Sequence, residues 1–186
     1  MSDLLDYMAA LEADEDVHLA RILVLIKRFA NDDKPAITGI TKLAKLDFLL
    51  RYPNYFEQAM RVRGVSEKSL LLKGFERNSI EAKMVRYKFG PWDHRYRKFL
   101  NILASKGLVT LSLLGRTISV DLTEAGDEIA MQLAGEPEFE IIDQRSKLLK
   151  KNLDIGATKL MDFIYDTFPE LHDMELNAEI GSEQLL

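Results

Sequence analysis

Gly107-Leu108-Val109-Thr110-Leu111-Ser112-Leu113-Leu114-Gly115-Arg116-Thr117-Ile118-Ser119-Val120-Asp121-Leu122-Thr123-Glu124-Ala125-Gly126 is the stretch whose reading decides the fold. Leu108 to Leu113 and Thr117 to Leu122 are apolar and rich in β-branched residues, and Leu114-Gly115-Arg116 between them reads as a hairpin connection. Gly107 stands where a preceding helix must end through a left-handed residue. Thr123 stands where a following helix, Glu124 to Ala134 with Ile129, Met131 and Leu133 as its apolar residues, needs a side-chain acceptor for its first N–H groups. Upstream, His94 to Lys106 is amphipathic. Tyr96, Phe99, Leu100, Ile102 and Leu103 recur at helical spacing, with Arg95, Arg97 and Lys98 between them and Asp93 as the N-cap. Met84 to Tyr87 alternates as a short strand. Phe89-Gly90-Pro91-Trp92 then reads as a tight turn, with the single tryptophan covering the base of the helix.

Helix, glycine, strand, turn, strand and Thr-capped helix is the order of the wing of a winged-helix domain, here over residues 85–134. The expected fold class is mainly α with a small β wing (α+β): a winged-helix core with flanking N- and C-terminal helices. Val17 to Ala30 forms a strong helix through Leu19, Ile22, Leu23, Ile26 and Phe29, ended by Asn31 to Pro35. A second helix is expected over Ile37 to Arg51. Its stripe is Ile40, Leu43, Leu46, Leu49 and Leu50, with Lys42, Lys45 and Asp47 between them. Tyr52-Pro53-Asn54 breaks it before a short helix from Tyr55 to Val62. Arg63 to Phe75 reads as a loop. Past Gly135-Glu136-Pro137, helices are expected near Ile141–Lys151 and Ala157–Phe168. The chain thus divides into an acidic N-terminal segment (1–16), a helical and winged-helix domain (17–134, wing about 108–122) and a C-terminal helical extension with a polar tail (135–186).

The 186 residues carry a net charge of −5, but the charge is segregated. Residues 51–106 hold 13 Lys and Arg against 5 Asp and Glu, residues 121–186 hold 5 against 16, and residues 1–16 hold 6 acids and no base. The basic middle either faces phosphates or an acidic protein, or folds against the chain's own acidic ends. With no cysteine there is no disulfide framework, thiolate zinc site or cysteine nucleophile. No apolar run is long enough for a membrane span and the first residues lack a basic leader, so the chain reads as cytoplasmic.

Catalysis has no visible carrier. His18, His94 and His172 have no ligand partner at helical spacing and read as surface or capping residues, so neither a metal nor a cofactor is expected. The acidic clusters (Glu12, Asp14, Glu15, Asp16; Glu136, Glu138, Glu140) read as solvated faces. A non-catalytic protein that binds a macromolecule is expected. Candidate contacts for DNA or a partner are Arg86, Lys88, Arg95, Arg97, Lys98 and Arg116, the last at the wing tip. Trp92, Tyr96, Phe163, Tyr165 and Phe168 are candidates for a protein interface. No Asn, Gln or paired Arg stands out as a base-reading array, which counts against sequence-specific DNA recognition.

Leu46-Asp47-Phe48-Leu49-Leu50-Arg51-Tyr52-Pro53, then Tyr87-Lys88-Phe89-Gly90-Pro91-Trp92-Asp93 and the wing, resembles the small middle component of ABC-three-component systems, and in function the small subunit of Lamassu-type antiphage defence complexes. Asp162-Phe163-Ile164-Tyr165-Asp166-Thr167-Phe168-Pro169 extends the resemblance, which covers about residues 17–170. The resemblance implies an adaptor in antiviral defence that bridges a chromosome-segregation-type (SMC-like) ATPase and an effector, often a nuclease. Double-stranded DNA is contacted, if at all, through that complex. The alternative is a winged-helix transcriptional regulator that binds operator DNA as a dimer.

Overall fold

Helix α1 (Glu15–Phe29) opens on Glu15 and Asp16 and closes on Lys27 and Arg28, so charge of the favourable sign sits at both ends of its dipole. The computed structural model describes residues 15–66, 69–70, 84–87, 90–92, 95–173 and 179–180, with side chains over 15–66, 69–70 and 95–171. After the turn at Asn31 to Pro35, in which the Asn31 side chain accepts from the Asp33 N–H, comes a two-residue strand, β1 (Ile37–Thr38). The second helix, α2, therefore runs Ile40–Arg51 rather than from Ile37. The cause is tertiary: Ile37 and Thr38 pair with Val120 and Ser119, and the Gly39 N–H donates to Ile118 O. Gly39 sits at φ 102, a conformation few other residues adopt.

Helix α3 (Pro53–Val62) follows after a single residue, with Pro53 at its first position, where a missing N–H costs nothing. Strands β2 (Met84–Tyr87) and β3 (Gly90–Trp92) pair antiparallel with Val85 opposite Trp92. Gly90-Pro91-Trp92 is thus a strand and not the turn itself. Asp93 lies outside the described residues, and helix α4 starts at Tyr96 and ends at Ser105. The expected hairpin is present: β4 (Val109–Leu114) pairs with β5 (Thr117–Leu122) through Gly115 and Arg116. Gly107 at φ 71 makes the helix-to-strand reversal. Thr123 caps α5 (Glu124–Gly135): its Oγ1 accepts from the Gly126 N–H at 3.0 Å and donates to Gly107 O at 2.6 Å. Losing both bonds in Thr123→Ala should lower stability by about 1–2 kcal/mol, with Thr123→Ser retaining most of it, as read by urea denaturation.

Helices α6 (Glu140–Leu153), α7 (Ala157–Thr167) and α8 (Pro169–Asp173) follow, and β6 (Glu179–Ile180) adds to β2. Among the described residues the chain is mainly helical with two small antiparallel sheets, ordered β1-β5-β4 and β3-β2-β6. One hydrophobic cluster runs from Leu19 to Leu171 and includes Leu149, Leu153, Leu160 and Ile164 of α6 and α7. Helix α2 is its centre, buried at every position from Lys42 to Arg51. The charged residues that the sequence places between buried positions are therefore themselves buried, each with a partner. Lys42 Nζ donates to Asp154 at 2.9 Å, Lys45 Nζ to Ala157 O at 3.3 Å, and Asp47 takes Arg21. His18 is buried as well, its ring stacked on Phe99 at 5.5 Å, contrary to the surface role expected of it. In α5 the inward positions are Gly126 and Ala130, which leaves Ile129 and Met131 facing solvent.

Candidate functional site

Helix α4 owes its orientation to a buried polar cluster. Tyr96, Phe99, Leu100 and Leu103 follow the three-and-four spacing of a helix face and point into the core. Tyr96 Oη donates to Asp47 Oδ2 at 2.5 Å, while Arg21 reaches the same carboxylate with Nε at 2.6 Å and Nη2 at 3.0 Å. Arg21 Nη2 also lies 2.9 Å from His18 Nδ1. A guanidinium only donates, so the imidazole nitrogen accepts. Burial by itself would push the Asp47 carboxyl up. The charge and hydrogen bonds of Arg21, the charge of Arg51 and the Tyr96 hydroxyl outweigh it and hold the group below its usual range. The Tyr96 phenol is pushed well above its usual value, by burial first and by the Asp47 charge second. A carboxylate with three donors fixes the roll of α4 about its axis.

The opposite face of α4 is exposed and polar. Arg97, Asn101 and Ser105 recur every fourth residue along it, and Lys98 and Lys106 flank them with half-buried Ile102, forming one shallow groove. Asn101 thus supplies an amide one turn beyond Arg97, a pairing across a helical turn that adjacent residues do not display. The spacing of four was the available signal. Lys98 forms an exposed ion pair with Glu15 of α1. Arg97, Lys106 and Arg116 make no ion pair among the described residues. The cations that tie down the acidic C-terminal half come from elsewhere. Lys27 pairs with Asp127, Arg28 with Asp143, and Lys34 and Lys42 with Asp154. Among the described residues, the positive face of α4 is therefore not consumed by the acidic half of the chain.

The other candidate residues are scattered. Arg95 is half-buried with its guanidinium 5.5 Å from the Phe99 ring centre, at the edge of the α4 face rather than on it. Tyr96 and Phe168 are core residues, so neither offers a surface. Phe168 meets the Tyr55 ring edge-on at 4.8 Å. Phe163 is half-buried under the Arg63 guanidinium at 4.4 Å, and half-buried Tyr165 packs against the core. Arg86 and Trp92 lie on β2 and β3, but their side chains, together with Lys88, His94 and the His172 side chain, fall outside the described residues.

The hairpin carries a second exposed surface. Val109, Leu111 and Leu113 share a face with Ile118, Val120 and Leu122, since residues paired across strands point the same way. Val109 and Val120 are buried, but the hairpin outruns the core: Leu111 is 37 % exposed, Leu113 76 %, and Leu114 on the other face 60 %. Strand β4 is also the sheet edge among the described residues, and no charge interrupts it from Val109 to Leu114. Among the described residues, no three His, Cys, Asp or Glu side chains gather as metal ligands, and no helix is long and apolar enough to cross a membrane. Compared with protein-family models, with curated proteins and with solved structures, the chain matches none.

Proposed function

We propose that this chain is a non-catalytic winged-helix adaptor, the small subunit of an ABC-three-component assembly of the Lamassu type, which joins an SMC-like ATPase to an effector. The winged-helix assignment is supported by the succession α1, β1, α2, α4, β4, β5 with strand order β1-β5-β4, in which α3 and the β2–β3 pair form an insertion between α2 and α4. The hairpin is then the wing. The observation that carries the adaptor reading is the exposed, uncharged edge strand β4 with Leu111, Leu113 and Leu114 at its surface. A free-standing protein blunts such an edge with lysine, proline or a bulge, because unpaired backbone groups beside apolar side chains recruit another chain. Here the strand is left open for a partner, by strand addition or by apolar contact. Exposed Glu124, Glu128, Glu136, Glu138 and Glu140 give α5 and the start of α6 a different, acidic character, so two chemically unlike partners have two surfaces to choose from.

Co-expression with a coiled-coil ATPase and an effector encoded beside it tests the reading. The wild-type chain is expected to co-purify with the ATPase. A Leu113→Asp, Leu114→Asp variant should lose at least about tenfold in affinity while its circular dichroism and melting temperature hold, because both side chains are mostly exposed to water. Wild-type levels of ATPase retained by the aspartate variant would sink the wing as the docking surface. A chain that instead purifies alone as a dimer on a specific duplex would favour the transcriptional regulator.

A further inference from the structure

On the winged-helix reading, though independently of the adaptor role, we propose that the exposed face of α4 binds double-stranded DNA, and that Glu15 of α1 competes with DNA phosphate for Lys98. The face holds cations, an amide and a hydroxyl, and only half-buried Ile102 breaks its polarity. A protein interface would be expected to centre on a cluster of apolar or aromatic side chains, whereas Ile102 is the single apolar residue lining this groove. Duplex DNA matches it in charge and in hydrogen bonding. Lys106 and Arg116 suit phosphate oxygens. Arg97 and Asn101 are the side-chain types that bond guanine and adenine edges in pairs. The ten residues of α4 make a helix about 15 Å long, and four residues advance about 6 Å, so Arg97 and Asn101 would address base pairs about two steps apart in a major groove.

Lys98 adds regulation to this surface. Its ammonium is held by Glu15, the first residue of α1, and both side chains are exposed, so the pair exchanges readily with solvent ions. A phosphate offers the same kind of oxygen acceptor with more charge. DNA binding therefore exchanges one anion for another at Lys98, and the acidic first turn of α1 (Glu15, Asp16) lowers affinity for any polyanion. The molecule's overall acidity and its basic contact face are thus parts of one device, in which the acids set how strongly the cations hold DNA.

The test is fluorescence anisotropy of a labelled random-sequence DNA duplex with the full-length protein, from about 50 to 200 mM salt. The wild type should bind with log affinity falling linearly in log salt, at a slope near about −3 for three phosphate contacts. Lys106→Ala should weaken binding severalfold and flatten the slope by about one. Asn101→Ala should lower affinity about tenfold for duplexes selected by the wild type and leave unselected duplexes nearly unaffected. Glu15→Gln should act in the opposite direction, raising affinity about twofold to fivefold, and that gain should vanish in the Lys98→Ala background. All four positions are exposed, and unchanged melting curves confirm that the variants fold. Absence of duplex binding by the wild type at the lowest salt overturns the proposal, as does equal binding of an RNA duplex, whose deep narrow groove α4 cannot enter. Binding unaffected by Lys106→Ala and Glu15→Gln overturns it too. None of these readings involves the ATPase, so failure of the adaptor role and failure of DNA contact are separable.

Discussion

Replacing Asp47 by Ala should cost about 3–5 kcal/mol of folding free energy, enough to unfold much of the protein at ordinary temperature. Asp47 is 1 % exposed and receives Arg21 twice and Tyr96 once, so its loss strands a buried guanidinium with no counter-charge from that carboxylate. The cost lies in the orphaned charge and not in the bond itself. An Asp47→Ala, Arg21→Met double variant should therefore recover much of the loss. Urea denaturation of both variants decides it, and a double variant as unstable as the single one would show that the network acts through something other than charge balance. If the single variant fails to accumulate, Asp47→Asn, which keeps the shape and an acceptor for Tyr96, supplies the intermediate case.

The same group fixes the pH response. Asp47 is held below the usual carboxylate range in the fold, so its contribution is complete above the pKa of an unfolded aspartate and is lost as pH falls through the folded value. Asp154 adds to this acid limb. Burial opposes its ionisation, but hydrogen bonds from Lys150 and Lys42 lower it to about 2. At the alkaline end the sign reverses. Tyr96 and Tyr55 are raised by burial and by the nearby Asp47 and Glu170 charges, so their contribution is intact below the pKa of an unfolded tyrosine and declines above it. A melting temperature measured against pH should form a plateau between these limbs, with the acid limb reduced in the Asp47→Ala, Arg21→Met variant.

Gly126→Ala is expected to cost about 3 kcal/mol, although Gly126 lies in the first turn of a helix where alanine is ordinarily favoured. A Cβ there would fall 1.8 Å from Leu108 O and 2.7 Å from its carbonyl carbon. That contact is with backbone, so no side-chain rotation relieves it. Either α5 moves away from the base of β4, or the Thr123 cap and the Thr123 N–H to Leu108 O bond at 3.1 Å are broken. The unfolding midpoint should drop accordingly. An alanine variant as stable as the parent would mean that α5 can slide on the hairpin at little cost.

Much of the secondary structure is legible in the residues because it is local. Gly107, Gly115 and Thr123 fix the hairpin and its two junctions through backbone conformation and capping. The three-and-four spacing locates α1, α4, α6 and α7 within a few residues. What escapes is whatever depends on contacts distant in the chain. Two residues, Ile37 and Thr38, have no strand signal of their own and become β1 only because β5 offers them an edge. Lys42, Lys45 and Asp47 look like a polar face because periodicity ranks them against their neighbours in sequence. Helices α3, α4, α6 and α7 and strands β1, β3 and β5 pack around α2 and decide otherwise. Tyr96 and Phe168 resemble interface aromatics for the same reason, since an aromatic at a helix end reads alike whether the next layer is protein or water.

The two candidate surfaces divide in the same way. Which residues are cationic, and that the hairpin strand carries no charge, was determined by the sequence alone. That Arg97, Asn101 and Ser105 share one open line while Arg95 stacks on Phe99, and that Leu113 stands clear of the core while Val109 two residues earlier is covered, was decided only by the tertiary structure. The physical reason is that propensity and capping act over a few residues, whereas burial is set by where the core ends, and here it ends partway along β4 and beneath one side of α4.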